Sequence, residues 1–321
     1  MIVNVVRPGW VLRLRRGQLE AEGPEGDPVR IPLAQVDALL IASRGVMVSS
    51  ALLLEASRLG IPVYLVRASG DVVAVVEPAE AHRTADTQLA QASWRLDPRR
   101  RLEASKWFIS AKVGARARML RLEASRIGDP LLRDESYRLE AEARELIGGA
   151  STIEELRVAE ARLGRLYWAL YQSRLLPGDS GFEARRPRGG DPFNSALDYL
   201  YAMLRAVCHS ALRVAGLNPY VGFMHSEKSG RPSLTLDFME AFRWRAEQLL
   251  ARLARRGFRP EVSEGLLVHE SRAVLSSEWS RVLRSPLPRS RKTLWEAIRD
   301  AAWELASSLR RGSEWRPVLG V

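Results

Sequence analysis

Two hydrophobic periodicities divide the chain near residue 80. Before it, apolar residues alternate or cluster in short runs; after it, they recur every three to four positions. Val11–Arg15 and Gln18–Glu22 partly alternate on either side of Arg16-Gly17, which predicts a β-hairpin. Val36 to Ala42 is a short apolar run suited to a buried strand. Ser49 or Ser50 is placed to cap a helix reaching Leu59, where Gly60 and Pro62 stop it. Val63–Val66 and Val72–Val76 flank Ser69-Gly70, a second hairpin signal.

The rest reads as helices. Residues 81–127 and 131–147 have helical composition, separated by Gly128-Asp129-Pro130, and Gly148-Gly149 stops the second stretch. Thr152-Ile153-Glu154-Glu155 has the form of a capping box opening a helix to about Tyr171. Residues 176–190 are rich in Gly, Pro and Arg and read as a long basic loop, either a mobile linker or a ligand-contacting segment. Asp191-Pro192 is an N-cap with proline at the first helical position, and that helix should run to Gly216. Ser233 is placed to cap a helix through about Arg256, and residues 291–311 form a final amphipathic helix. The predicted fold class is α+β: a small N-terminal β-rich domain over residues 1–80, then a larger all-α domain over 81–321.

Composition narrows the function. Among 321 residues Cys208 is the only cysteine, which excludes a disulfide framework and a thiolate zinc site. No apolar run approaches the roughly 18 residues of a membrane span, and Met1 to Gly17 lacks a secretory signal layout, so a cytoplasmic protein is expected. Net charge is +11, with 49 Lys+Arg against 38 Asp+Glu. Residues 1–80 hold eight arginines against nine acids, or −1, which leaves 41 cations and 29 anions, or +12, to the remainder. Only Lys106, Lys112, Lys228 and Lys292 are lysines; the other cations are arginines, which suit planar, bidentate contact with phosphate. A basic second domain points to a polyanion, and a charge-rich thermophile surface accounts for the same numbers.

Two clusters offer chemistry. On the helix from Thr152, Glu160 shares a face with Leu156, Leu163, Gly164, Tyr167 and Tyr171. A carboxylate in an apolar stripe needs a cation, either a metal or an internal arginine. Gly164 weakens that helix and implies close packing or access for a ligand. Further on, Asp237 and Glu240 stand three residues apart in the first two turns of a helix, and His225 precedes the turn containing Gly230 and Pro232. These could converge on one ion, or form a solvated acidic patch beside a core histidine. As a set, Glu160, His225, Asp237 and Glu240 are oxygen-rich with one imidazole, which suits Mg²⁺ or Mn²⁺ better than zinc. His82, His209 and His269 lack such company, and Cys208 reads as a buried apolar residue. There is no phosphate-binding Walker loop, dinucleotide fingerprint or nucleophile elbow.

Three blocks carry a family resemblance. Glu160-Ala-Arg-Leu-Gly164-Arg165-Leu-Tyr167-Trp168 resembles the Glu-Gly-x-x-Ala-Arg-x-Tyr-Trp helix of the CRISPR-associated adaptation integrase family. Asp191-Pro-Phe-Asn194-Ser-Ala-Leu197, Tyr201 and Ala215-Gly-Leu-Asn-Pro219-Tyr-Val-Gly-Phe-Met-His225 follow that family's next block. Gly230-Arg-Pro-Ser-Leu-Thr-Leu-Asp237-Phe-Met-Glu240-Ala-Phe-Arg243 follows the third, in matching order and spacing over residues 160–243. Ala161 departs from the glycine of many members, and Glu240 lies within a range that includes aspartate.

The resemblance implies metal ligation by Glu160, His225 and Glu240, with Asp237 important beside them and Mg²⁺ or Mn²⁺ as cofactor. It implies a homodimer joined through the β-domains, a small ferredoxin-like CRISPR-associated partner protein, and double-stranded and branched DNA as substrates. The implied function is a metal-dependent endonuclease and integrase that inserts short foreign DNA fragments into a repeat array by 3′-hydroxyl attack on a phosphodiester. Arg165, Arg185, Arg186, Arg188 and Arg243 are candidate DNA contacts by charge and position. The alternatives are a non-catalytic nucleic-acid-binding scaffold, a transposon-borne relative integrating whole elements, and a ribonuclease. Gly312 to Val321 is too short for the extra C-terminal module that transposon-borne relatives often carry.

Overall fold

A computed structural model describes residues 2–36, 38–67, 72–76, 84–225, 230–287 and 290–317. The N-terminal part holds β1 (Ile2–Val5), β2 (Val11–Arg15), β3 (Gln18–Glu22), β4 (Val29–Pro32), β5 (Ala38–Ile41), β6 (Met47–Val48), α1 (Ser50–Arg58), β7 (Val63–Val66) and β8 (Val72–Val76). They form two four-stranded sheets, ordered β4-β3-β2-β6 and β1-β5-β7-β8. The first predicted hairpin is β2–β3, in register from Val11↔Glu22 to Arg15↔Gln18. Its turn places Arg16 at φ 50° and Gly17 at φ 75°, the paired left-handed conformations that match strand twist. Ser49 caps α1, its side chain accepting from Leu52 N. β7 and β8 pair antiparallel as predicted, while Ser69-Gly70 and His82 lie outside the described residues.

β5 explains how the two parts join. All four of its residues are buried, as its unbroken apolar run predicts. Ala38 and Leu40 face the core of the helical part, together with Tyr64 of β7; Leu39 and Ile41 face a second core with Leu12, Leu19 and Leu52. Alternation along one strand thus fills two cores. Asn4 Nδ2 also donates to Ser276 Oγ in the helical part.

The helical part comprises α2 (Thr84–Leu96), α3 (Pro98–Ile127), α4 (Pro130–Gly149), α5 (Ile153–Leu170), α6 (Pro192–Val214), α7 (Ser233–Met239), α8 (Arg243–Arg255), α9 (His269–Arg284) and α10 (Leu294–Arg311). A short hairpin of β9 (Val262–Ser263) and β10 (Leu266–Leu267) precedes α9. The helical stretch predicted over 81–127 divides at Asp97, whose Oδ1 accepts from the backbone N of Arg99 at 2.8 Å and of Arg100 at 3.1 Å. With Pro98 at the first helical position, this is a helix start that uniform helical composition concealed. Thr152 caps α5 as predicted, but Glu155 reaches back to Ser151 N rather than completing the box. Ser233 is the first residue of α7 rather than its cap; Pro232 takes the cap position. The predicted helix to Arg256 is interrupted by a tight 3₁₀ turn at Glu240–Phe242, which reorients α8. The basic loop is no free linker: Asn194 Oδ1 accepts from Arg186 N, Asn194 Nδ2 donates to Ala184 O, and Asp198 Oδ2 accepts from Arg188 N.

α3 and α8 are joined by a buried ion cluster. Glu123, fully buried, accepts from Gln248 at 2.8 Å, from Arg252 Nε at 2.8 Å and from Arg255. Burial pushes the Glu123 carboxyl up, but hydrogen bonds and charge from Arg252 and Arg255 outweigh it and hold it below its ordinary value of 4.5. A lowered carboxyl stabilises the fold above its unfolded value, and that contribution disappears as pH falls through the folded one. We predict that urea midpoints will show Glu123→Gln less stable than the parent at pH 7, with the gap closing under acid. An equal gap at both pH values would contradict this account.

Candidate metal centre and its cleft

The stripe on α5 is oriented as its spacing requires. Leu156, Leu163, Tyr167 and Tyr171 are at most 1% exposed, and Glu160 sits at the edge of this face with a quarter of its side chain exposed. Gly164 has nothing within 4 Å of the place a Cβ would occupy, so close packing does not explain it. It lines an open cleft of about 250 Å³ with Lys112, Arg116, Arg157, Glu160, Arg185 and Arg243 among its walls.

Glu160 is paired with a lysine. Lys112 of α3 places Nζ 2.6 Å from Glu160 Oε1 and 2.9 Å from Glu240 Oε2. One ammonium therefore bridges two carboxylates that lie 80 residues apart in sequence. The contact with Glu240 Oε2 is an ion pair without hydrogen-bond alignment, so this buried oxygen has no hydrogen-bond partner. Arg243 Nη2 stands 3.0 Å from Glu240 Oε1. Burial pushes the Glu240 carboxyl up, but Arg243, Lys112 and Arg116 prevail and hold it down at about 2. The ionised state follows from these cations, not from a helix N-terminus, because Glu240 lies past the end of α7.

Asp237 and Glu240 are both buried, yet they serve different partners. Asp237 Oδ2 accepts from the backbone N of Phe223 at 2.6 Å and of Met224 at 3.0 Å. Its Oδ1 accepts from His225 N at 3.0 Å and lies 2.5 Å from His225 Nδ1. A carboxylate oxygen accepts, so the contact assigns the proton to Nδ1, the tautomer in which an uncharged imidazole offers its lone pair at Nε2. Asp237 is thus a positioning residue for His225. Gly222 lets this happen: a Cβ there would stand 2.7 Å from the Ser233 carbonyl carbon and 2.8 Å from Asp237 Oδ2. The surrounding loop is further held by Gln91 of α2 on Asn218 and Val221, Arg101 of α3 on Phe223 O, and Arg157 of α5 on Met224 O.

Beneath the cleft lies a second buried carboxylate. Glu247 of α8 is 0% exposed and accepts from Arg116 of α3, Tyr167 of α5 at 2.6 Å and Tyr201 of α6 at 2.6 Å. Burial pushes Glu247 up, and Arg116 with the two phenols brings it below the usual carboxylate range. Burial likewise raises both phenols, so they remain donors.

His225 opens into a neighbouring cleft, also about 250 Å³, lined by Arg157, Glu160, Met224, His225 and Arg231. Glu160 and Arg157 line both clefts. The fold therefore brings Glu160 to Glu240 through Lys112, and Glu160 to His225 through a shared wall. Among the described residues, no three His, Cys, Asp or Glu side chains converge closely enough to hold one ion. The residues nevertheless fit a divalent cation. A cation already sits between the two carboxylates, and among the described residues Glu240 Oε2 lacks a hydrogen-bond partner; the imidazole adds a nitrogen donor on the wall it shares with Glu160. Oxygen donors with one imidazole match Mg²⁺ or Mn²⁺.

The candidate DNA-contacting arginines separate. Arg243 lines the cleft and lies over the Tyr201 ring at 4.7 Å. Arg185 also lines it, but is committed to Asn194 and Asp198, with only a tenth of its side chain exposed. Arg186 and Arg188 are exposed on the loop, Arg186 in an ion pair with Glu183. Arg165 lies about 140° around the helix from Glu160 and does not line the cleft. The sequence reading missed Lys112, Arg116, Arg157 and Arg231. Arg157 was open to inference, one turn before Glu160 on the same face; the others come from distant segments. His209 is packed, its Nδ1 3.1 Å from Thr235 Oγ1 and its ring held down to about 4 by burial and by Arg213 and Arg205. His269 is exposed at the start of α9, and Cys208 is buried.

Comparison with known proteins identifies relatives of the chain and of its fold. The profile of the family described as CRISPR associated protein Cas1 matches residues 3–281. A CRISPR-associated endonuclease Cas1 of Hyperthermus butylicus is 32% identical over 99% of this chain and 98% of its own length. A second Cas1 endonuclease, of Pyrobaculum aerophilum, is 34% identical over 86% of this chain and 90% of its own. Three solved structures share the fold. A casposase bound to integration product has a TM-score of 0.80 at 20% identity, covering 98% of this chain and 91% of its own. A Cas1 protein from Thermotoga maritima gives 0.78 at 20% identity, covering 98% of both chains. A Cas6-RT-Cas1–Cas2 complex gives 0.71 at 18% identity, covering all of this chain and 36% of that one.

Two stability predictions follow from the supports of the site. Glu247→Ala leaves Arg116 buried without its counter-charge and is expected to cost about 3–5 kcal/mol in urea unfolding. Gly222→Ala drives a methyl into backbone and should cost about 1–3 kcal/mol. A Gly222→Ala variant as stable as the parent would show that the loop gives way.

Proposed function

The chain belongs to the CRISPR-associated Cas1 family, and from that premise we propose that Glu160, Glu240 and His225 form the metal centre of its DNA chemistry. As a Cas1 chain it is an endonuclease of CRISPR adaptation with integrase activity. The finer reading is insertion of short foreign DNA fragments into the repeat array, by attack of the fragment's 3′-hydroxyl on a phosphodiester. The observation that carries this reading is the meeting of Glu160 and Glu240 on a single cation in an arginine-walled cleft.

When bound, Mg²⁺ or Mn²⁺ would supply Lewis-acid stabilisation of charge on the attacking and leaving oxygens. The chain's own residues do the remaining work. Arg157 and Arg231 give the clefts the positive potential that draws in a phosphodiester, beside Arg116 and Arg243, whose charges are balanced by Glu247 and Glu240. Asp237 holds His225 in the tautomer that offers Nε2. Gly164 keeps the cleft mouth open where a side chain would obstruct a backbone phosphate. Exposed Arg186 and Arg188 are suited to contacts further along the duplex.

Two assembly statements belong to the same reading. Residues 1–80, near neutral by charge, join two copies as a homodimer, while residues 81–321 carry DNA. A small ferredoxin-like CRISPR-associated protein bridges such dimers; the fold shared with a Cas1–Cas2 assembly supports a partner of this kind. No helix among the described residues is long and apolar enough to cross a membrane.

The test is strand transfer on a labelled repeat substrate in Mn²⁺. Asp237→Asn is expected to lose roughly 10- to 100-fold, the range for residues that orient metal ligands. Glu160→Ala, His225→Ala and Glu240→Ala should each lose more, while duplex binding persists. Strand transfer that survives Glu160→Ala would sink the catalytic assignment and favour a binding scaffold.

A further inference from the structure

We propose that Lys112 is a resident counter-cation that holds the metal position in the DNA-free protein and yields it when a phosphodiester enters the cleft. This inference rests on the metal reading above and adds to it a coupling between two ligands.

The charge balance is the first ground. Glu160 and Glu240 face Lys112 and Arg243, two charges against two, at distances of 2.6, 2.9 and 3.0 Å. Arg116 is neutralised separately by Glu247. A divalent ion added to this set leaves an excess of two positive charges in a site where Glu240 and Lys112 are about nine-tenths buried. Uncompensated charge is costly there. A phosphodiester in the adjoining cleft offsets one of these two charges and gives the displaced ammonium a partner.

The second ground is geometric. The Lys112 ammonium occupies the space between Glu160 and Glu240, the two carboxylates that would hold a metal, and no three ligating side chains converge elsewhere among the described residues. Lys112 also lines the cleft with Arg116, Arg157, Arg185 and Arg243. A change of its side-chain rotamers would carry the ammonium from the carboxylates to a phosphate in that cleft. The third ground is residue choice. An ammonium is a compact point charge on a flexible four-carbon stem, whereas a guanidinium is a broad planar fork. Of the chain's 49 Lys and Arg residues only four are lysines, and one of them stands here.

It follows that metal and DNA strengthen each other's binding, by the same factor in both directions. The experiment measures Mn²⁺ affinity by electron paramagnetic resonance, with and without a short blunt duplex, subtracting the Mn²⁺ held by DNA alone. For the wild-type chain the duplex should tighten Mn²⁺ at least several-fold. Lys112→Met, which keeps the stem and removes the charge, should bind Mn²⁺ roughly 10-fold more tightly without DNA and lose most of the DNA effect. Lys112→Arg keeps the charge and should bind Mn²⁺ no better than wild type, which covers the case of a Met variant that fails to fold. A Lys112→Met chain that binds Mn²⁺ equally or more weakly overturns the proposal, as does wild-type Mn²⁺ affinity indifferent to DNA. Wild-type protein that binds no Mn²⁺ in either state would overturn the metal reading itself.

Discussion

The active region depends on one fully buried carboxylate. Glu247 draws Arg116, Tyr167 and Tyr201 onto itself, so α8 is tied to α3, α5 and α6 at a single point. Those helices or the turns that adjoin them carry Lys112, Glu160, Asn194 and Glu240. A charge without water must have its lone pairs filled, and few arrangements of four helices fill them. The network therefore selects one packing more than it adds stability. Arg116 shows the consequence: stacked 4.2 Å over the Tyr167 ring and bound to Glu247, it is a fixed part of the cleft wall.

A similar constraint governs the loop that delivers His225. Its backbone has no helix or sheet to satisfy it, so side chains from α2, α3, α5 and α7 do so. Asp237 contributes most, taking three backbone N–H groups and the imidazole. The residue that aims the histidine also closes the loop, and Gly222 is the one place where a side chain would separate them. Positioning of this kind resists small perturbations because every partner is itself anchored on a helix.

The arginine-rich composition acquires two meanings in the fold. Some arginines are structural, like Arg252 and Arg255 around Glu123 or Arg185 against Asp198. Others line the clefts and set their potential. Net charge alone does not divide these groups, since a guanidinium paired with a carboxylate is neutral to an approaching phosphate.

What the sequence determined by itself follows from local rules. Periodicity placed the β2–β3 and β7–β8 hairpins, β5, α1 and most later helices, but not β1, β4, β6, β9, β10 or α9; the β5 run announced a buried strand, and the stripe on α5 turned Glu160 toward the interior. Ordered motif blocks also named the family and proposed the ligating residues. One error passed over a local signal, since Asp97-Pro98 is the same cap-and-proline pair as Asp191-Pro192; in another, Pro232 displaces Ser233 as a cap. Only tertiary structure showed that Asp237 holds the His225 ring and its loop, and that Lys112, 48 residues before Glu160, bridges it to Glu240. The physical reason is range. Helix periodicity fixes which face a side chain occupies, but which distant charge meets it depends on how buried groups across several helices satisfy one another at once.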